Sequence, residues 1–338
     1  MSVPRADFTA TLMTNGKVLL AGGETGATTD TPTVDIFDPV TNSITPAAGM
    51  KTARNGHTAT LLPNGKVMVV GGTATPGGTA LTSVEAYDPT SNTWSDLPSM
   101  SYGRVHHAAV LMVNGKVLVA GGTDAPTPVE RYDPATNTWT SVAIPANDPR
   151  PSGPTATTLP GGRVMIVGGA NGGAHTVNAD VWIYDPATGQ LTTDHAYPFQ
   201  GGTNWATATL LGDGKVLVAG GEDSTNPAGA VATTYFFDPV ADAAPDGPPM
   251  NVGHCHDTAT MLKSGLVLVA GGRCGAQDSI NVCELYDPRT NQWLTAGALQ
   301  DARGFHVAVL LPDGRVLVAG GFYPGGSIAQ TTELYKPA

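Results

Sequence analysis

An all-β fold, a closed seven-bladed propeller of four-stranded blades, is predicted by three features of the sequence. One phrase recurs seven times: NGKVLLAGG (15–23), NGKVMVVGG (64–72), NGKVLVAGG (114–122), GGRVMIVGG (161–169), DGKVLVAGG (213–221), SGLVLVAGG (264–272) and DGRVLVAGG (313–321). The final glycines are 47 to 52 residues apart, and a unit of that size cannot bury its own apolar face. Within each unit the hydrophobic period is two, the period of strands rather than helices.

Residues 57–98 show the elements in order. HTATLL is a first strand, Asn64-Gly65 a tight turn, and KVMVV a second strand. Two apolar runs joined by Asn-Gly are a strong hairpin signal. Gly71-Gly72 ends the second strand, where a residue without Cβ permits positive φ or close backbone approach. After a variable loop, SVEAYDP is a third strand and TNTWSDL a fourth. Proline ends the third strand because it cannot donate to the ladder. The corner recurs as FDP (37–39), YDP (87–89, 132–134, 184–186), FDP (237–239), YDP (286–288) and an eroded YKP (335–337). The whole chain, 1–338, reads as one propeller domain. Its seventh unit lacks a fourth strand, so that blade is expected either to have three strands or to be completed by flanking sequence.

Composition agrees. Charged residues are 13% of the 338, with 43 Gly and 27 Pro, which suits short strands and tight turns. A net charge of −11 argues against a nucleic-acid partner. No run of 18 apolar residues predicts a membrane span. Residues 1–20 lack a charged start and a cleavable apolar core, so no signal peptide is expected. The compartment stays open: cytoplasmic if Met1 is native, secreted if a leader was trimmed. A monomer is expected.

The Gly-Gly doublets, the tyrosines after them and the fourth-strand Trp94, Trp139 and Trp293 resemble the Kelch repeat, along the whole chain. The variant Arg-x-x-His-x-Ala-x-Leu-Leu before the hairpin is similar to bacterial Kelch proteins and to the propeller of galactose oxidases. The resemblance implies the fold; it implies function weakly.

Strand direction places the starts of all first strands at one mouth of the central channel, together with the variable loops, where binding usually sits. Eleven residues before each hairpin glycine stand Arg5, Arg54, Arg104, Pro151 (beside Arg150), Thr203, His254 and Arg303. Nine before stand Asp7, Gly56, His106, Gly153, Trp205, His256 and Phe305; eight before, Phe8, His57, His107, Pro154, Ala206, Asp257 and His306. Recurrent His57, His107 and His306 are expected to tie blades together. The departures are His106, Trp205, His254, His256 and Asp257.

Three readings follow. The first is binding of a small polar or anionic molecule, acidic peptide or glycan by Arg5, Arg54, Arg104, Arg150 and Arg303, with Trp205 and Phe305 stacking. The Kelch resemblance supports arginines in that role. The second is a metal-dependent oxidoreductase, lyase or isomerase holding Cu, Fe or Zn through His106, His107, His254, His256, Asp257 and His306, joined by Glu222 and Asp223. The galactose oxidase resemblance places copper at this mouth, but its tyrosine ligands and Tyr–Cys cross-link are absent: His106 and Phe305 stand where tyrosines would, and Cys255 is one residue off. The third is metal-free acid–base catalysis by His106 or His256 with Asp257 orienting a ring. Cys274 and Cys283 lie nine residues apart, a spacing that permits a disulfide in oxidising surroundings and leaves Cys255 as the odd thiol, small and buried or activated by its neighbours. His175 and His195 read as loop and outer-strand residues.

Overall fold

A computed structural model describes residues 1–122, 128–144, 152–170, 181–194, 204–222, 229–273 and 278–337. Arg150, His175, His195, Asp223 and Cys274 therefore lie outside the described residues. Seven antiparallel sheets surround a channel, each ordered first to last strand as the chain runs. Blade two is representative: Thr58–Leu61, Val67–Val70, Val84–Asp88 and Thr93–Leu97. Its second strand is buried along its whole length, because both of its faces meet neighbouring blades. No described helix is long and apolar enough to cross a membrane.

Two blades have three strands. The seventh stops at Thr332–Tyr335. The fifth departs from the four strands expected of every unit: past Thr234–Phe237 only isolated bridges form, Tyr235 to Asp246 and Asp238 to Ala243. Pro245, Pro248 and Pro249 fall in this stretch and have no N–H for a ladder. The first blade's mouth loop folds into a small hairpin, Glu24–Gly26 with Thr29–Asp30.

The core is a set of seven layers, one between each pair of adjacent blades. Met13, Leu19 and Val34 meet Val67, Val69 and Tyr87 between blades one and two. The ring closes the same way, with Phe8, Val18 and Leu20 against Leu311, Leu317 and Ala319. Trp94, Trp139 and Trp293 pack on the corner tyrosines and donate to Ala48, Pro98 and Pro248 carbonyls of the preceding blade.

Polar ties join the layers. The second glycine of the doublet donates to the carbonyl of the next blade's first-strand cation: Gly23 to Arg54, Gly72 to Arg104, Gly221 to His254, Gly272 to Arg303 and, closing the ring, Gly321 to Arg5, at 2.7 to 2.8 Å. Gly72 has φ +87°, and a Cβ there would stand 2.4 Å from the Asn55 carbonyl, so both left-handed backbone and close approach demand glycine.

The arginine ring differs in place from the expectation of a cationic mouth. Arg5, Arg54, Arg104 and Arg303 are 0% exposed, inside the blades. Each donates to the first glycine of its doublet, as Arg54 does to the Gly71 carbonyl at 2.8 Å, and pairs with a third-strand acid: Asp35, Glu85, Glu130 and Glu333 respectively. Those acids also accept backbone N–H groups of the segment leading into the first strand, as Glu85 does from Lys51 and Thr52. His254 takes the arginine's place in blade six, bonded to the Gly271 carbonyl at 2.7 Å and Glu284 at 3.3 Å, also 0% exposed. Burial alone disfavours its charge, but Glu284, Asp257 and the Gly271 carbonyl outweigh that and raise its pKa. These five groups are clamps, and a ligand at the mouth cannot reach them.

The recurrent histidines tie first strands to one another. His57, His107 and His306 are buried and share hydrogen bonds with Thr9, Thr58 and Thr258 of the preceding blade at 3.0, 2.8 and 3.1 Å. Burial first, then the nearby arginine, drives His57 and His306 down to about 3 and His107 well below its ordinary value. All three are neutral at pH 7.

Two outcomes are expected. Arg54→Ala leaves Glu85 buried without its counter-charge and should cost about 3–5 kcal/mol, measured by urea unfolding. Acid should destabilise the ring. Unfolded histidine takes a proton near pH 6.5 and the folded ties refuse it until about pH 3, so stability is full above 6.5 and falls as pH drops. Each tie should lose about 2 kcal/mol by pH 5, from about 1.4 kcal/mol per pH unit. His306→Gln should remove about one proton's worth of that slope; an unchanged slope contradicts the assignment.

Candidate functional site

The residues nine before each hairpin glycine form a belt around the channel mouth. All seven have positive φ: Asp7 53°, Gly56 57°, His106 51°, Gly153 72°, Trp205 58°, His256 47° and Phe305 55°. Their amides chain around the axis. Gly56 donates to Asp7, His106 to Gly56, Gly153 to His106, Trp205 to Gly153, Phe305 to His256 and Asp7 to Phe305, at 2.8 to 3.3 Å. Five non-glycine residues hold the left-handed conformation, at a cost of order 1 kcal/mol or more each.

The left-handed turn leans His106, Trp205, His256 and Phe305 back over the preceding blade. His106 crosses Gly56, where a Cβ would lie 2.7 Å from the imidazole, and reaches Asp7 at 2.7 Å. Trp205 crosses Gly153 in the same way and meets His106 edge-on at 5.0 Å between ring centres. His256 follows at 4.4 Å from Trp205, and Phe305 stacks on His256 at 3.7 Å. The two glycines are thus the gaps that let the large residues overlap.

Beside this pinwheel lies a cavity of about 280 Å³, lined among others by Asp7, His106, Thr155, Trp205, Thr207, His256 and Asp257. A roomier cleft of about 540 Å³, from Leu210 to Arg289, lies on the opposite face and is mostly backbone turns and aliphatic side chains. The mouth cavity holds four histidines together with Asp7 and Asp257. Burial disfavours the charge on His106, yet Asp7 outweighs it and raises the imidazole pKa. Asp7 is lowered: burial, its largest influence, is overcome by His106, with smaller help from His57 and His256. Burial takes His256 down to about 3.

Asp257 is the one acid in its row. His57, His107 and His306 reach a threonine one blade back; the shorter aspartate makes no such bond, and Thr207 instead lies near the Ala219 carbonyl. Both Asp257 oxygens are buried and unpartnered, and burial raises the carboxyl to about 6. Such a group demands a reason for being kept.

The expected metal set is not assembled. His254 clamps its blade, His107 and His306 tie strands, and His106 pairs with Asp7. Asp257 orients no ring, since it makes no hydrogen bond. The copper arrangement implied by the galactose oxidase resemblance therefore does not fit these side chains. Among the described residues a different trio, Glu222, Cys255 and His256, brings its donor atoms within 4.8 Å. The cysteine expectation also changes: Cys283 is a buried free thiol, so it does not bridge to Cys274, and Cys255 is the disulfide-bonded cysteine. Burial in an apolar layer raises the Cys283 thiol to about 11, which makes it inert. Asp7 as the partner of His106 was missed in the sequence; its membership of the nine-before row was the available signal.

Comparison with known proteins places the chain. The KLHDC2/KLHL20/DRC7 Kelch-repeats domain matches residues 56–243, and the Kelch motif matches 254–300. A galactose oxidase of Gibberella zeae is 28% identical over 113 residues, 32% of this chain and 16% of the relative, so the chain spans a small part of that protein. A copper-bound fungal alcohol oxidase of the AA5 family superposes with a TM-score of 0.76 at 18% identity, over 95% of this chain and 71% of that one. The structure of YjhT superposes at 0.60 and 16% identity, over 98% and 95%. These two likenesses show the fold. By its repeats, its doublets and the family models that cover most of its length, this chain belongs to the Kelch-repeat family.

Proposed function

We propose that this propeller binds a small polyhydroxylated ligand, of carbohydrate class, in the channel mouth against Trp205. The observation that carries the reading is the Asp257 carboxylate, buried without a donor on the wall of the same cavity as an indole face. An unpaired buried acceptor costs about 1–3 kcal/mol, and a ligand hydroxyl removes that cost. An aromatic plane beside a few convergent polar groups is the usual make-up of a small-molecule site, and the apolar face of a sugar stacks on such a plane. Thr155, Thr207 and His106 supply further hydroxyl and imidazole groups. The galactose oxidase and alcohol oxidase relatives act, by their names, on hydroxyl-bearing molecules. Of the ligands the sequence left open, a glycan fits better than an anion or acidic peptide, because Arg5, Arg54, Arg104 and Arg303, the described members of the expected cationic ring, are neutralised inside the blades.

A second reading, acid–base chemistry on the same ligand, is favoured by the Asp7–His106 pair, whose side chains remain 23% and 27% exposed at the mouth. The pair holds a proton between blades one and three, at the edge of the cavity.

Calorimetric titration against a panel of neutral mono- and disaccharides tests the binding reading. One member should bind with one site per chain. Trp205→Ala should weaken it at least tenfold, from the loss of an aromatic contact and its buried area. Asp257→Asn should weaken it by a similar factor, and Asp7→Asn should spare binding while abolishing any turnover found. Binding of citrate or an acidic peptide that is indifferent to Trp205→Ala would contradict the reading.

A further inference from the structure

A second cluster sits just behind the belt, and it does not depend on the carbohydrate reading. Glu222 opens the mouth loop of blade five, and Cys255 and His256 lead into the first strand of blade six. Backbone bonds pin all three. Glu222 bridges Asn204 and Ala230, the Cys255 carbonyl accepts from Arg273 at 2.8 Å, and the His256 carbonyl accepts from Phe305 at 3.0 Å. The carboxylate, sulfur and imidazole donors consequently lie within 4.8 Å of one another, with Cys255 Sγ 3.9 Å from Glu222 Oε1. Zinc bonds of about 2.0–2.3 Å put the donors of a tetrahedral site roughly 3.5 Å apart. Closing the trio on one ion thus asks for side-chain shifts of about an ångström, within rotamer adjustment.

The sulfur decides the matter. Cys255 is in a disulfide, and a disulfide sulfur is neither a thiolate nor a strong ligand. Two donors remain, too few for a structural or catalytic zinc site. Reduction changes the donor set. A dithiol reductant delivers two electrons, the S–S bond breaks, two thiols form and the reductant becomes its own disulfide. Cys255 then loses its proton to the metal it binds. Thiolate and carboxylate together carry two negative charges, which offset the nearby Arg273 cation.

We propose that Glu222, Cys255 and His256 form a zinc-type metal site, with one coordination position left to solvent, that exists only when the Cys255 disulfide is reduced. The site couples redox state to the mouth, because His256 stacks between Trp205 and Phe305 and would have to turn toward the ion.

Cobalt(II) titration of the full chain, with and without prior reduction by a phosphine, tests this. The Cys283→Ala background removes the unrelated buried thiol. Reduced protein should show one equivalent of cobalt with a thiolate-to-cobalt charge-transfer band that zinc displaces; oxidised protein should show none. His256→Ala and Glu222→Gln should each weaken cobalt binding at least tenfold, and Cys255→Ser should abolish the band. If Cys255→Ser fails to fold, the oxidised parent serves as the thiolate-free control. Equal affinity in oxidised and reduced protein, or a band whose affinity ignores His256→Ala, would overturn the proposal. Saccharide titration of the oxidised protein reports the carbohydrate reading separately.

Discussion

The left-handed turn at the start of every first strand is the constraint on which the mouth of this propeller depends. It is where six of the seven blade junctions are bonded, amide to carbonyl, around the channel. It also decides where side chains point. A right-handed or extended residue at Trp205 would direct the indole along its own strand; at φ 58° it lies over Gly153 instead. One conformation repeated seven times therefore makes both the ring closure and the wall of the candidate site. Strain gathered at a ligand-facing belt is a common cost of pre-organisation.

Outside the belt, the charges serve the scaffold. Each described clamp buries a cation and an acid together, and such pairs stabilise only when every remaining donor and acceptor is satisfied. Here the guanidinium also meets the doublet carbonyl and the acid also meets backbone N–H groups, while the Nε of Arg5, Arg54 and Arg303 and Asp35 Oδ1 stay buried without a partner, so the clamps are only partly satisfied. The clamp thereby holds the second strand, the third strand and the entry to the first in one register. His254 shows that the position asks for a nitrogen-bearing side chain reaching the Gly271 carbonyl and Glu284, and that an imidazole ring suffices.

The fold was legible because its signals are local. Asn-Gly hairpins, Gly-Gly doublets and Tyr-Asp-Pro corners each act within a few residues, and their repetition fixes the blade count. The fifth blade departs from the repeat where Pro245 and its neighbours leave no N–H for a fourth-strand ladder. The site was only half legible. Position along the strand showed which residues crowd the mouth, and the odd members of the rows, His106, Trp205, His256 and Asp257, do line it. Depth was not visible: Arg54 and Gly56 are two residues apart, yet one is sealed in the blade and the other forms the belt. The clue to depth lay in pairs. Every clamp cation is followed 26 to 31 residues later by a third-strand acid, and His254 keeps that spacing with Glu284. Departure from a repeat marks a functional position only after such compensating partners are excluded; His254 has a hydrogen-bonded acid, and Asp257 has no hydrogen-bond partner.

The most direct test is a crystal structure of the protein with a saccharide bound from concentrated solution. The account predicts a sugar ring stacked on Trp205 with a hydroxyl within about 3 Å of an Asp257 oxygen, the geometry of a hydrogen bond, while Arg5, Arg54, Arg104 and Arg303 stay in their clamps. A ligand seated in the opposite cleft between Leu210 and Arg289, or held at the mouth by an arginine released from its acid, would contradict it.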